Sequence, residues 1–452
     1  MRTPLRLLLL AAVLLVAGWL LVPWEWSLID DGQAIGHVRT IGAEQTAELY
    51  RYTDATWGLF RPAFWVYMGT FYLLPVKIAF TVRMLMLAVA VAVPACLVWR
   101  RSGSGPLAAW AAILLAGNPS LLRNLAYPSL QEGPGVALVA LGLLPYRRPW
   151  PRLLLWLAAA WFKSPFSWLL VCYGLLLLVR PGERRWSDRL HGVVALAAGV
   201  GTIVTAYTYS QAGEYTAALD FGAGKLLGSA LEAARQIGPP LLVVALGVVA
   251  FGLRYAGRDL VAWALVGGGA MYLANLLPWK TDEHYAGPYV YLLMVGVVLS
   301  VRPTRVPFGA PGGRLDAAGT AAGAAGAATG TAGALGRVAL VAAVLTGLVL
   351  TGVGGRYVYR NVANTAELES CVLGLPGRPV IGYNRQEGAP RLTELAVLRR
   401  PGWAGQVVWV PNGDPGDVDY YIHQPNYGPG SPQLMVGGPV CVTPLATVYR
   451  AR

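Results

Sequence analysis

Apolar runs of membrane-spanning length alternate with short polar, arginine-marked breaks along most of the chain. A bilayer needs about 20 apolar residues per helix, and one such run could be a signal peptide, whereas many cannot. The first run, Leu5 to Val22, follows Arg2 and contains Arg6, as a signal peptide would. No small-residue cleavage site follows it, so it reads as an uncleaved signal anchor. With the N-terminus in the cytoplasm, the pattern predicts about eleven spans: 5–23, 78–99, 105–118, 131–146, 152–162, 166–180, 191–209, 238–254, 259–278, 286–301 and 338–354. The fifth and sixth are short and form a hairpin turning at Lys163-Ser164-Pro165, with a re-entrant pair as the alternative.

Arginine sets the orientation. Arg100-Arg101, Arg147-Arg148, Arg184-Arg185 and Arg254 with Arg258 mark successive inner turns, as the positive-inside rule requires. The segment after the first span, about 24–77, is then extracytoplasmic. It carries an aromatic-rich amphipathic stretch, Phe60 to Leu74, suited to lie along the membrane surface. Four domains follow. Residues 1–302 form a multi-span membrane domain with outer-face loops, and 303–336 a Gly/Ala-rich flexible cytoplasmic linker, the alternative being a small-residue transmembrane helix that would flip the tail. The last span lies within 337–355, and 356–452 form a small extracytoplasmic α/β domain. In that tail, strand-like runs stand at 379–383, 406–410 and 418–422, with a helical stretch about Arg391 to Leu398. The fold class is therefore an all-α polytopic membrane protein with a small C-terminal extracytoplasmic α/β domain, placed as a multi-pass protein of the plasma membrane.

Composition agrees: 55% of residues are hydrophobic and 13% charged, against about 25% charged in soluble domains. The net charge of +13 reflects arginine on cytoplasmic loops, so nucleic acid is not implied as a partner. Cys371 and Cys441 are the two cysteines of the tail, and an oxidising compartment favours their pairing in a disulfide, with two free thiols the alternative. Cys96 and Cys172 fall in spans as small apolar residues.

Polar residues at the membrane are costly and are functional candidates by default. Four clusters fall on the predicted outer face: Asp30-Asp31-Gly32 after the first span, Gln131-Glu132 at the start of the fourth, Lys163 at the 5–6 turn, and Lys280 to Tyr285 before the tenth. Arg61 and Arg123 sit on outer segments too, and the four lysines (Lys77, Lys163, Lys225, Lys280) all lie at or near that side. Carboxylates and cations gathered on one face suit transfer of a group from a lipid phosphate. A carboxylate can take a proton from a hydroxyl or hold a divalent metal, and cations stabilise charge on a phosphate leaving group. Each cluster also has a bland reading: a solvated turn, a snorkelling lysine, a hydrophilic loop. No Walker loop, HExxH or GxSxG motif is present.

At these residues the chain resembles the C-type glycosyltransferase superfamily. Ser27-Leu28-Ile29-Asp30-Asp31-Gly32 is similar to the acidic motif of that family's first outer loop. Trp57 to Tyr67 resembles an Arg-Pro-aromatic segment of its bacterial members, and Phe162-Lys163-Ser164-Pro165 its Lys-x-Pro turn. Glu283-His284-Tyr285 to Tyr291 is similar to its late approach to a helix, with His284 where arginine is common, and the tail resembles its small outer domain. The resemblance implies an inverting transfer of a sugar from a polyprenyl-phosphate donor to a lipid, glycan or protein acceptor, among membrane lipids. It implies Asp30 or Asp31 as the catalytic base, Glu132 and Asp282 as secondary carboxylates, and Arg61, Lys163 and Lys280 on the donor phosphate. A divalent metal, with Asp30, Asp31 and His284 as ligands, is an open option. The alternatives are a transporter or flippase of a lipid-linked glycan and a non-catalytic membrane scaffold. Transporters tend to show internal repeats and mid-span polar sites, and neither is visible here.

Overall fold

The computed structural model describes residues 31–126, 130–179, 186–211, 219–255, 259–279, 281, 283–303, 322–383, 405–409, 418–423, 435, 437–444 and 446–451. The side chains of some of these, Asp31 and His284 among them, fall outside the description. So do the first expected span, Asp30, Lys280, Asp282 and the helix expected at Arg391 to Leu398.

Each expected span after the first falls on a helix. They are α3 (Val76–Ser102), α4 (Gly105–Ala116), α6 (Glu132–Gly142), α7 (Trp150–Phe162), α8 (Ser167–Val179), α9 (Trp186–Gln211), α10 (Ala223–Phe251), α11 (Leu260–Leu276), α12 (Glu283–Ser300) and α13 (Ala322–Leu373). Among the described residues, three helices are long and apolar enough to cross a membrane: Val76–Ser102, Trp186–Tyr209 and Ala223–Phe251. Shorter apolar helical stretches are Gly105–Ala116, Glu132–Gly142, Ser164–Val179, Leu260–Leu276, Tyr285–Ser300 and Val338–Leu350. Local chemistry sets the ends. α3 stops where Gly103 takes a left-handed conformation (φ 66°), a common helix stop. Ser104 then caps α4 by accepting the Leu107 amide, and Asp259 caps α11 through the amides of Val261 and Ala262.

α8 lies between α9 and α11, α12 packs on α11, and α13 runs against α10 and the short α5 (Pro119–Ala126). Small residues permit these approaches. A methyl group on Gly174 of α8 would meet the Leu196 amide nitrogen of α9 at 2.6 Å, the close packing typical of helices that associate in lipid. The resulting core is led by Trp110, Trp156, Phe166, Tyr272, Tyr289 and Tyr291. At one end of the bundle, α10 and α12 run into an antiparallel ribbon, β1 (Leu253–Tyr255) with β2 (Val301–Pro303).

A second core forms at the other end. It joins α1 (Asp31–Trp57), α2 (Pro62–Thr70), the start of α3, the end of α13 and a five-stranded sheet. The sheet order is β4-β3-β5-β7-β6, from β3 (Val380–Tyr383), β4 (Gln406–Trp409), β5 (Tyr420–His423), β6 (Pro439–Val442) and β7 (Thr447–Arg450). β3 is parallel to β4 and β5, while β5, β7 and β6 are antiparallel. A disulfide joins Cys371 at the end of α13 to Cys441 on β6.

Three features differ from the sequence reading. The segment before Phe60 is a helix, α1, kinked at Gly42 (φ 84°), with Ala34, Ile35 and Val38 buried. The Phe60 to Leu74 stretch does not lie alone: Phe64, Tyr67, Met68 and Phe71 are buried in the second core. From Ala322 the expected linker is helical and continuous with the last span and with the beginning of the tail. Alanine is the strongest helix former, so an Ala-rich stretch joined to a spanning helix extends it.

Candidate functional site

Polar side chains collect beside the second core, where α1, α2, α6 and the α7–α8 connection meet. Asp54, in the last turn of α1, is buried. Its carboxylate accepts from Arg61 Nε at 2.9 Å and Trp65 Nε1 at 2.5 Å, and is also bonded to Arg61 Nη2. Arg61 caps α2, with Pro62 in the first helical position, where a missing N–H costs nothing. Its Nη1 donates to Gln131 Oε1 at 2.6 Å, and its guanidinium lies 4.5 Å from the Phe64 ring centre.

Gln131 leads into Glu132, the first residue of α6, whose carboxylate benefits from the helix N-terminus. Glu132 is fully buried, and Lys163 Nζ lies 2.9 Å from its Oε1. Lys163 sits in the connection between α7 and α8, and its ammonium also stands 4.9 Å from the Tyr285 ring centre. Burial holds the Lys163 pKa below the ordinary lysine value, with the Glu132 carboxylate pulling the other way and Arg61 adding to the lowering. The two ion pairs thus sense one another.

Arg83 braces this arrangement from within α3. It is fully buried. Its Nη2 bonds the carbonyls of Asn124, at the end of α5, and Leu130 (3.2 Å), and its Nη1 reaches the Tyr67 hydroxyl at 3.4 Å. The guanidinium therefore ties both sides of the 127–129 connection that leads into Gln131 and Glu132. Gly133 leaves room for it, since a methyl group there would stand 2.7 Å from Arg83 Nη2. On the far side, the Thr281 hydroxyl donates to the Ser229 carbonyl at 2.7 Å, and the Tyr289 hydroxyl donates to the Thr281 carbonyl at 2.9 Å. Trp279 and Tyr285 meet edge to face at 4.6 Å. These contacts fix the segment from which Tyr285 reaches Lys163.

Of the residues singled out in the sequence, the structure brings together Arg61, Gln131, Glu132 and Lys163. Asp31 opens α1, but its side chain, Asp30, Lys280, Asp282 and the His284 side chain lie outside the described residues. Among the described residues, no three His, Cys, Asp or Glu side chains gather as a ligand set, so no residue here is assigned to a metal. Asp54 and Arg83 were missed as site residues, and Trp65 and Tyr285 stood out only as members of longer segments. Arg83 did carry a signal, a charge inside a spanning run; Asp54 looked like any loop carboxylate.

The fold as a whole has a counterpart of known structure. The crystal structure of ArnT from Cupriavidus metallidurans in the apo state aligns over 100% of this chain and 99% of its own, at a TM-score of 0.53 and 13% identity. The chain has a C-type glycosyltransferase fold. It is a polytopic membrane protein, mostly helical, with a small sheet region. No family model and no curated protein matches the sequence.

Proposed function

We propose that this C-type fold is a membrane glycosyltransferase acting at the outer face of the plasma membrane on a polyprenyl-phosphate-linked sugar. The observation that carries the reading is the convergence of Arg61 and Lys163, from distant parts of the chain, on one site where the buried carboxylates of Asp54 and Glu132 hold them. A phosphate is the natural third member of such a group. Arginine matches its oxygens in a fork, and lysine adds a compact charge. Lys280, which follows Trp279 in the sequence, is given the same role. Tail and site share one end of the bundle, which supports placing both on the side opposite the arginine-marked turns.

In the reaction, the acceptor hydroxyl of a lipid, glycan or protein attacks the anomeric carbon opposite the phosphate. The bond from that carbon to the phosphate oxygen breaks, and polyprenyl phosphate leaves with the electron pair. A carboxylate, Asp30 or Asp31, takes the hydroxyl proton, and the anomeric configuration inverts. Arg61, Lys163 and Lys280 stabilise the charge on the leaving phosphate. Glu132 acts through Lys163, and Asp282 is a weaker second carboxylate.

A placed base contributes about 10²–10⁴-fold. Asp30→Asn and Asp31→Asn, made separately, test the role in a transfer assay with a polyprenyl-phosphate sugar. At least one should lose transfer by about two orders of magnitude while expression stays normal. Transfer that survives in the double variant removes the acidic pair from the chemistry.

A further inference from the structure

The far end of the bundle holds a cavity of about 810 Å³. It lies about 27 Å from the candidate site, counting 1.5 Å per residue along α3 from Arg83 to Arg101. Its apolar walls are leucines and valines at the ends of α3, α8 and α12 and the starts of α4 and α11, and its charged groups are Arg101, Arg152, Arg302, Asp188 and Asp259. Their partners divide them. Arg101 is neutralised by Asp259 at 2.5 Å. Arg152 spends Nε on the Gly142 carbonyl at 2.8 Å and Nη1 on the Tyr173 hydroxyl at 3.3 Å. It forms no ion pair among the described residues.

Arg302 adds a second, independent observation. It stands on β2 directly opposite Arg254 on β1. Like charges in directly opposed positions destabilise an antiparallel pair. An anion between or beside them turns that repulsion into a shared attraction. With the Arg101–Asp259 pair set aside, Arg152 and Arg302 stand in the lining with the carboxylate of Asp188, and Arg254 stands across the ribbon from Arg302, so the described charged groups at this end sum to an excess of positive charge.

We infer that this cavity binds the phosphodiester headgroup of one anionic phospholipid, its acyl chains lying along the apolar wall. A free phosphate would use the arginines but not the leucines and valines, whereas a phospholipid uses both. Basic pockets between helix ends at a membrane surface are general sites for acidic headgroups. The inference does not rest on the proposed sugar transfer, and it concerns the opposite end of the bundle.

The test is native mass spectrometry of the full chain in detergent, titrated separately with phosphatidylglycerol and phosphatidylcholine. One phosphatidylglycerol should be retained per chain, and phosphatidylcholine should bind much more weakly. The Arg152→Gln/Arg302→Gln double variant should weaken phosphatidylglycerol by about thirtyfold. Arg254→Gln, exposed on the ribbon and away from the cavity wall, should weaken it by about fivefold, which keeps the test decisive if the double variant folds poorly. Millimolar inorganic phosphate should not displace the lipid. Equal binding of the two lipids, or unchanged binding in Arg254→Gln, overturns the inference. Displacement by inorganic phosphate also overturns it, by making the site one for a free anion.

Discussion

Breaking the Glu132–Lys163 pair should have opposite pH signatures depending on which partner is removed. Glu132 is fully buried, and the Lys163 side chain is 12% exposed. In Lys163→Met, the orphaned Glu132 escapes burial as a charge by binding a proton. At pH 7 that costs about 4 kcal/mol, the distance from its reference value near 4.3 at about 1.4 kcal/mol per unit. In Glu132→Gln, Lys163 loses its proton instead, from a reference near 10.4, at a cost of about 5 kcal/mol. Both figures agree with the roughly 3–5 kcal/mol found when a buried pair is broken. In Lys163→Met the buried Glu132 must take up a proton to fold, so stability is present at low pH and is lost as pH rises. That variant should recover on acidification. In Glu132→Gln the folded pKa of Lys163 is depressed, so stability is present above the lysine reference value and is lost as pH falls. That variant should recover on alkalinisation. The Lys163→Met/Glu132→Gln double variant should lose less than the sum of the singles. The assay is thermal unfolding of the purified full chain across pH, with losses on the order of 5–10 °C for the singles at pH 7. Parallel pH dependences, or single losses below about 1 kcal/mol as for an exposed pair, would refute the reasoning.

Arg83→Gln should lower kcat for sugar transfer by about 10–100-fold, since hydrogen bonds from a charged group contribute roughly 1.5–3 kcal/mol. KM should change little and Arg83→Lys should restore part of the rate; a uniform loss of folded protein instead would make Arg83 merely structural. His37 on α1 has its pKa lowered from 6.5 by burial, so its contribution is present above pH 6.5 and lost as pH falls through the lowered value. His37→Gln should therefore flatten the acid limb of the thermal midpoint against pH, and an unchanged limb would discard this cause. The Cys371–Cys441 bond spans 70 residues, for which the chain-entropy model gives about 4 kcal/mol. The Cys371→Ala/Cys441→Ala variant should lose protease resistance in the tail, and equal resistance with and without the bond would contradict this.

The spanning helices were legible because a bilayer imposes apolar runs with few alternatives, and Gly103 and Ser104 mark a helix stop and start in plain view. α1 was not legible: Ala34, Ile35 and Val38 bury one short face, and Gly42 then breaks the period. β6 was missed because Pro439 and Cys441 interrupt an already short strand. At the site, Arg61, Glu132 and Lys163 each stood out as charges at the edges of apolar segments. Their pairing did not, because Glu132 and Lys163 meet only once α6 and α7 fold antiparallel. Asp54 was hidden for a related reason, since its partners Arg61 and Trp65 reach it only after the turn between α1 and α2. Arg83 could have been read, but it was averaged into the hydropathy of Val76–Ser102, where one charge among many apolar residues hardly changes the mean.

The most direct test of the central claim is sugar transfer by the full chain in proteoliposomes supplied with polyprenyl-phosphate-linked sugar and a mixture of lipid, glycan and protein acceptors. The account predicts a labelled product and free polyprenyl phosphate from the wild type, and neither from an Arg61→Gln/Lys163→Met variant that still inserts in the membrane. A wild type that consumes no such donor, yet moves a glycan lipid across the vesicle membrane, would contradict it.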